Sequence, residues 1–258
     1  MNEAATYRPL VGRLAVITGA AGAIGRATAR KLATRGATIV GVDHPSADAS
    51  ALEALFESGE ALTLLRADVT NESDVKAYVE AALQVTGRID VFFNNAGIEG
   101  AQAPISEYPT EDFVKVFNVN VLGVFLGLKY VLPVMQEQKA GSIINTSSIA
   151  GLIGAENMSG YIMSKHAVLG LTRTASLEAA PHGVRVNSVH PGFIDSRMLT
   201  DIVHNLGAPD AESLAPSVPM GRLGSVDDIA NAVAFLASDD SSYMSGHSLV
   251  VDGGKTAG

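Results

Sequence analysis

The 258-residue chain contains no cysteine and no tryptophan. The first absence removes disulfides, thiolate nucleophiles and cysteine-based metal sites together, and it fits a reducing compartment. Among the six histidines no His-x-x-x-His or His-Glu-x-x-His spacing occurs, so a catalytic zinc is not expected. Cations are scarce as well: 18 Lys and Arg stand against 27 Asp and Glu, a net charge of −9 with no long block of one sign. Duplex nucleic acid is an improbable partner for such a surface. Long apolar runs are also missing. The longest stretch free of Asp, Glu, Lys and Arg is residues 140–155, and it carries Ser142, Asn145 and Thr146, too short and too polar to span a bilayer. Residues 1–10 include Glu3 and Arg8 and do not read as a secretory signal. A soluble, cytoplasmic chain without membrane or nucleic-acid partners is expected.

What is present is the composition of a packed domain, with 47% hydrophobic and 17% charged residues. A chain of this size buries enough surface to need no staple, and it fits one large α/β domain. Short apolar runs alternate with longer amphipathic ones, the pattern of parallel strands joined by crossover helices. Strands are predicted near Leu14 to Thr18, Thr38 to Asp43, Leu62 to Arg66, Val91 to Asn94, Ser142 to Thr146, Val184 to Val189 and Ser248 to Val251. Helical patterns cover Ile24 to Arg35, Asp48 to Ser58, Asn71 to Thr86, Thr110 to Gln138, Ser159 to Ala180 and Val226 to Ser238. Pro133 is expected to kink the fourth of these helices or end it early. Residues 207–219, with Pro209, Pro216 and Pro219, lack periodicity and read as a mobile loop.

The first strand runs directly into Thr18-Gly-Ala-Ala-Gly-Ala-Ile-Gly25, a glycine-rich turn that opens a helix. Gly19 lets the chain turn sharply, Gly22 admits a pyrophosphate close to the backbone, and Gly25 allows tight packing of helix on strand. The helix N-terminus then offers free amides to phosphate. Asp43 ends the second strand 18 residues after Gly25, where a carboxylate accepts hydrogen bonds from both hydroxyls of an adenosine ribose and repels a 2′-phosphate. No Arg or Lys stands at positions 20–25 or 44–47, so NAD is favoured over NADP. Tyr161 and Lys165, four apart on a helical pattern, project from one face. An ammonium beside a phenol favours the phenolate, turning a poor base into a usable one.

With these motifs the chain resembles the short-chain dehydrogenase/reductase family from about Gly12 to Gly254. The resemblance implies a single domain over residues 1–258, a doubly wound Rossmann-type parallel sheet of about seven strands with helices on both faces, and a substrate loop at about 193–221. It assigns Gly19, Gly22, Ala23, Ile24 and Gly25 to the cofactor turn, Asp68 and Val69 to the adenine, and Asn94-Asn95-Ala96-Gly97 to steadying the cofactor site. Pro191, Gly192, Ile194 and Ser196 would meet the nicotinamide, and Tyr161 and Lys165 would touch the cofactor as well as the substrate. Asn120, Ser148, Tyr161 and Lys165 would be catalytic: Ser148 orients the substrate oxygen, Tyr161 moves its proton, Lys165 lowers the tyrosine pKa and binds ribose, and Asn120 holds a water that links Lys165 to solvent. Two positions depart from the usual family pattern. Ala23 replaces the usual glycine, which is tolerable at negative φ, and Ser196 replaces the usual threonine but keeps the hydroxyl.

The activity so implied is hydride transfer between NAD(H) and a secondary alcohol or ketone. Leu152, Ile153, Met158, Phe193, Met198, Leu199 and Ile202 lie on the substrate-facing segments and favour an apolar body, the resemblance extends to relatives that act on cyclic alcohols and ketones, and Glu99, Glu156 and Asn157 are candidate polar contacts. His166 and His190 flank site positions and read as structural. A 3-oxoacyl-carrier-protein reductase is the nearest rival, but Asp43 and the acidic surface oppose NADP and an acidic carrier. A non-catalytic NAD-binding sensor is the rival of another class, and the intact catalytic set opposes it. The resemblance also implies a homotetramer, with the helices over Thr110 to Gln138 and Ser159 to Ala180 and the C-terminal strand at its interfaces.

Overall fold

The computed structural model describes residues 8–56, 62–205, 207 and 209–258. Seven strands, β1 (Leu14–Thr18), β2 (Thr38–Asp43), β3 (Leu62–Arg66), β4 (Val91–Asn94), β5 (Gly141–Thr146), β6 (Val184–Pro191) and β7 (Ser248–Val251), form one sheet in the order β3-β2-β1-β4-β5-β6-β7. Every neighbouring pair is parallel. Parallel strands need covered faces, and the alternation of side chains along each strand decides what covers which. Leu14, Val16, Phe92, Ile143 and Val186 point to one side, where they pack with Val75, Val79, Val131, Met135, Val168 and Ala175. Ala15, Ile17, Phe93, Ile144 and Val189 point to the other and meet Ala29, Leu32, Ile229, Val233 and Leu236. The first layer is α3 (Glu72–Thr86), α5 (Gly123–Gln138) and α6 (Ser159–Ala179), and the second is α1 (Ala23–Thr34) and α8 (Val226–Ala237).

All strand carboxyl ends lie along one edge of the sheet. The chain leaves β1 toward β2 on one side and reaches β4 on the other, so a crevice opens at that edge where the strand order reverses.

Four sequence expectations need correction. The helix expected over Asp48 to Ser58 is only α2 (Ser50–Glu53), where Asp48 accepts from the Ser50 amide at 2.9 Å and Leu52 is the buried anchor; positions 57 and 58 lie outside the described residues. Pro133 does not end its helix, because burial of Val131 and Met135 on the sheet carries α5 through to Gln138. The rod from Thr110 to Gln138 is instead interrupted earlier, where a wider π turn at Asn118–Leu122 joins α4 (Thr110–Phe117) to α5. At 29 residues this rod is also long and apolar enough to cross a bilayer, which a search for charge-free runs overlooks; half of its most apolar window is buried within the protein. Finally, residues 197–205 form a helix, α7 (Arg197–Asn205), within the expected loop. A tighter turn follows at Ala211–Ser217, inside the 207–219 segment read as lacking structure; position 208 lies outside the described residues.

Candidate active site

A cavity of about 1000 Å³ opens along the carboxyl edge of the sheet. Gly19, Gly22, Asp43, Asp68 and Asn95 line one end and Ser148, Tyr161, Lys165, Phe193 and Ile202 the other. The glycine turn shows why side chains are excluded from it. Gly19 has φ +64°, and a Cβ there would lie 2.9 Å from Ala96 Cα; a Cβ on Gly25 would lie 2.2 Å from the Gly19 carbonyl oxygen. Ala23 opens α1 in ordinary helical geometry, so its methyl is tolerated, and Ile24 lines the cavity beside it. Gly22 offers no capping side chain and the first turn of α1 holds no acid, which leaves amides and the positive helix end facing the cavity. This cradle fits a pyrophosphate.

Asp43 is pinned at the mouth, one oxygen accepting from the Ala21 amide at 2.7 Å and the other from the His44 amide at 2.8 Å. Each oxygen keeps capacity for a further donor. Two cations near this rim escape a search confined to adjacent sequence. Arg26 donates to the Ala21 carbonyl at 2.5 Å, and Arg66, paired with Asp43 across β2 and β3, donates to the Ala47 carbonyl at 2.5 Å. Both guanidiniums are engaged by main chain beside the carboxylate. Asp68 is held in a local turn, accepting from the Thr70 amide and hydroxyl, and Val69 packs where a Cβ on Gly123 would touch it.

The Asn-Asn-Ala-Gly segment is a clamp. The amides of Asn95 and Ala96 both donate to Thr18 Oγ1, at 2.9 and 3.1 Å, while Asn95 Oδ1 accepts from the Thr146 hydroxyl at 3.1 Å. Asn94 donates to the Val124 carbonyl at 3.0 Å. Gly97 runs so close to the centre that a Cβ would sit 3.3 Å from Asn120 Oδ1 and 3.6 Å from Lys165 Nζ. Asn120, in the π turn, is fully buried; its carboxamide accepts from the Ile98 amide at 2.8 Å and donates to the Ile98 carbonyl at 2.9 Å and to Ser164 Oγ at 3.0 Å. Its side chain therefore splints the strip after β4.

Ser148 follows β5, and Tyr161 and Lys165 lie one turn apart on α6. Lys165 Nζ donates to the Thr146 carbonyl at 2.9 Å and stands 5.5 Å from the centre of the Tyr161 ring. Burial pushes the Tyr161 phenol up to about 12, helped by the charge of Glu99 and opposed by a hydrogen bond with Ser148. Burial also pulls Lys165 down to about 8. The expected acidification of the tyrosine by its neighbour is thus reversed in this structure, because desolvation of the phenolate is the largest effect.

His190 is fully buried beneath Ser148, with Nδ1 2.9 Å from the Ser148 carbonyl and Nε2 2.8 Å from Ser188 Oγ. A carbonyl only accepts, so Nδ1 carries the proton and Nε2 accepts from the serine. Burial holds this imidazole below the ordinary histidine pKa and therefore neutral. His166, by contrast, is exposed on α6, with Nδ1 3.0 Å from the Ile162 carbonyl.

Pro191 and Gly192 leave β6 beside Ser148, whose hydroxyl lies 3.5 Å from the Pro191 carbonyl. A Cβ on Gly192 would strike Asp252, and Ile194 bridges to Gly224. Ser196 lines the cavity but also caps α7, its Oγ accepting from the Leu199 amide at 3.4 Å. That cap, with Met198, Leu199, Ile202 and Val203 at helical spacing behind it, is the signal by which α7 is legible in the sequence. Of the expected substrate-facing residues, Ile153, Met158, Phe193, Met198, Leu199 and Ile202 line the cavity, whereas Leu152 does not. Glu156 lines it from an exposed loop, while Glu99 and Asn157 do not. No cluster of metal-ligating side chains occurs among the described residues.

A protein-family model described as Enoyl-(Acyl carrier protein) reductase matches residues 19–256. The chain is 42% identical to levodione reductase of Leifsonia aquatica over 253 residues, 95% of this chain and 94% of that one. It is 38% identical to cyclohexanol dehydrogenase of Acinetobacter sp. (strain SE19), covering 95% of each. The crystal structure of levodione reductase superposes with a TM-score of 0.93 over 96% of this chain and 98% of that one, at 40% identity. That of NAD+-bound xylitol dehydrogenase gives 0.91 over 95% and 99%, at 38% identity.

His190→Leu is expected to lower stability by about 1–3 kcal/mol, because it strands the buried Ser148 carbonyl. His190→Asn, which keeps an amide donor near the Nδ1 position, is expected to recover most of that loss. Denaturant unfolding of the two variants measures the difference.

Proposed function

The chain belongs to the short-chain dehydrogenase/reductase family, oxidoreductases that use a nicotinamide cofactor, and on that premise we propose that it interconverts secondary alcohols, cyclic ones among them, and their ketones with NAD. The observation that carries the reading is one cavity with Asp43 at its dinucleotide end and Ser148, Tyr161 and Lys165 beside an apolar wall of Ile153, Phe193, Met198 and Ile202 at the other. The relatives named for levodione and cyclohexanol support the ring-shaped substrate, and the NAD+-bound xylitol dehydrogenase supports the cofactor.

When bound, NAD supplies the two-electron acceptor for the carbinol carbon. Gly19, Gly22, Ala23, Ile24 and Gly25 hold the pyrophosphate, Asp43 the adenosine ribose, and Asp68 and Val69 the adenine. Asn95, Ala96 and Gly97 keep the middle of the site in register. Pro191, Gly192, Ile194 and Ser196 wall the nicotinamide, and Lys165 reaches its ribose. Ser148 donates to the substrate oxygen and orients it. In oxidation Tyr161 Oη takes the hydroxyl proton; in reduction it gives one back. The Lys165 ammonium offsets the negative charge that develops on Oη. Asn120 sets the path by which Lys165 exchanges protons with solvent. Asp43 and the net charge of −9 favour this reading over a carrier-protein reductase, and the complete Ser148, Tyr161, Lys165 and Asn120 set favours it over a sensor.

We further propose a cytoplasmic homotetramer. Val114, Phe117 and Phe125 on α4 and α5, Leu177 on α6, and Tyr243 and Val250 near the C-terminal strand are exposed apolar side chains on the elements expected to meet other subunits. Light scattering is expected to give about four times the chain mass of 26.7 kDa.

Purified enzyme given NAD and cyclohexanol is expected to form NADH; tight NAD binding without turnover of any secondary alcohol would favour the sensor. Tyr161→Phe is expected to lower kcat by about 10²–10⁴-fold with NAD affinity retained. The pH dependence follows from the sign of the shift. With Tyr161 raised to about 12, the phenol is the dominant form at neutral pH and the phenolate grows about tenfold per unit below that value. Alcohol oxidation should therefore accelerate from pH 7 to about 8 and level off above it, as Lys165, held at about 8, gives up the charge that supports the phenolate, while ketone reduction, which draws on the phenol, should gain nothing from the change. Asp43→Ala combined with His44→Arg should shift the ratio of kcat/KM toward NADP; an unchanged ratio removes Asp43 from its role.

A further inference from the structure

The C-terminal segment beyond β7 is folded back by a local knot. Asp252 accepts from the Gly254 amide at 2.9 Å and from the Thr256 amide and hydroxyl at 2.8 and 2.7 Å. Gly253 and Gly254 take left-handed φ of +64° and +89°, and the Met220 amide donates to the Gly253 carbonyl at 3.1 Å. The outcome is that Lys255 lines the same cavity as Ser148 and Tyr161. Its Nζ lies 5.7 Å from the centre of the Phe193 ring and donates to the Ser217 carbonyl at 3.2 Å. Phe193 stands two residues after Pro191, whose carbonyl is 3.5 Å from Ser148 Oγ, so the cation belongs to the substrate end of the cavity.

The electrostatics of that end are uneven. Arg197 also lines it but is held by Asp201 at 2.7 Å. Lys255 has no carboxylate within ion-pair distance among the described residues, and one hydrogen bond leaves two of its three donors uncommitted. Glu156, which also lines the cavity, sits on an exposed loop where solvent screens it. The Phe193 ring stands beside the ammonium, and Ile202 and Leu214 line the same cavity, apolar surroundings that raise the value of any charge pair formed there.

We infer that Lys255 is a specificity-determining residue that receives a carboxylate on the far side of the substrate from its reacting carbinol, so that the preferred substrates are hydroxy acids with an apolar, ring-sized body. The inference rests on the alcohol dehydrogenase reading above and narrows its substrate class.

The test compares wild-type enzyme, Lys255→Gln and Lys255→Arg in NAD-dependent oxidation of cyclohexanol and of 3- and 4-hydroxycyclohexanecarboxylate. Wild type is expected to favour at least one acid over cyclohexanol in kcat/KM. Lys255→Gln should reduce that preference about 10- to 100-fold, chiefly through KM, as loss of a charge-assisted hydrogen bond requires. Lys255→Arg should keep most of it. A wild type that oxidises cyclohexanol but is indifferent to the carboxylate, or a preference that survives Lys255→Gln, overturns the inference alone; a wild type that oxidises none of these alcohols overturns the reading beneath it as well. A second measurement needs no variant. Cyclohexanecarboxylate should inhibit cyclohexanol oxidation competitively and more tightly than cyclohexanecarboxamide, and equal inhibition by the two would count against Lys255.

Discussion

The hydrogen bonds that tie the carboxyl ends of β1, β4 and β5 together are the constraint on which the site depends. Thr18 Oγ1 takes two amides from the segment after β4, and the Thr146 hydroxyl reaches Asn95 from the other side. The Thr146 carbonyl, in the same residue, accepts a hydrogen bond from Lys165 Nζ. A single threonine therefore links the sheet scaffold to the ammonium of Lys165. Three strand ends held within hydrogen-bonding distance leave little freedom in where Gly97, Ser148 and Lys165 lie relative to the glycine turn. Sites built on strand ends inherit the rigidity of the sheet, which is what positioning a proton donor to a fraction of an ångström demands.

Burial is the cost of that arrangement, and it acts on each titratable group of the centre in the direction that removes charge. Tyr161 is pushed up, while Lys165 and His190 are pulled down. The lysine accordingly does not make a ready phenolate in this structure; it is a charge held in reserve, within 5.5 Å of the ring, that gains value as the phenolate forms. Low polarizability around the pair makes the attraction between them strong for the same reason that it makes each charge costly alone. His190 serves differently. Kept neutral, it has one donor for the Ser148 carbonyl and one acceptor for Ser188, so it fixes the serine backbone without adding a competing cation.

Much of this was legible in the sequence because its signals are local. Short apolar runs mark all seven strands, and the order strand, glycine turn, helix marks the proposed dinucleotide end without reference to anything distant. The Tyr161–Lys165 spacing is likewise a property of one helix. What escaped depends on partners far along the chain. Pro133 is tolerated because Val131 and Met135 are buried against a sheet that sequence does not display. The π turn that carries Asn120 gains its return from Ile98, 22 residues away. Arg66 approaches Asp43 only because β3 pairs with β2. The tyrosine shift, finally, comes from desolvation by the surrounding fold, which the Tyr161–Lys165 spacing along one helix does not display.

The two halves of the cavity are built to different standards, and the difference has a functional logic. The glycine-turn end and the Ser148 and Tyr161 hydroxyls stand on or beside β1, β2, β4, β5 and α6, elements whose apolar faces lie in the two main core layers. The substrate wall instead comes from α7, the turn at Ala211–Ser217 and the C-terminal knot; the first two share a small separate cluster in which Leu199, Val203 and Ala215 pack with Leu223. Substitutions in that cluster reshape the wall without loading the core that aligns Ser148, Tyr161 and Lys165. On the roles proposed above, a fold divided in this way can keep one chemistry while its substrate changes, because the residues assigned to the substrate wall and those assigned to proton transfer draw their stability from different contacts.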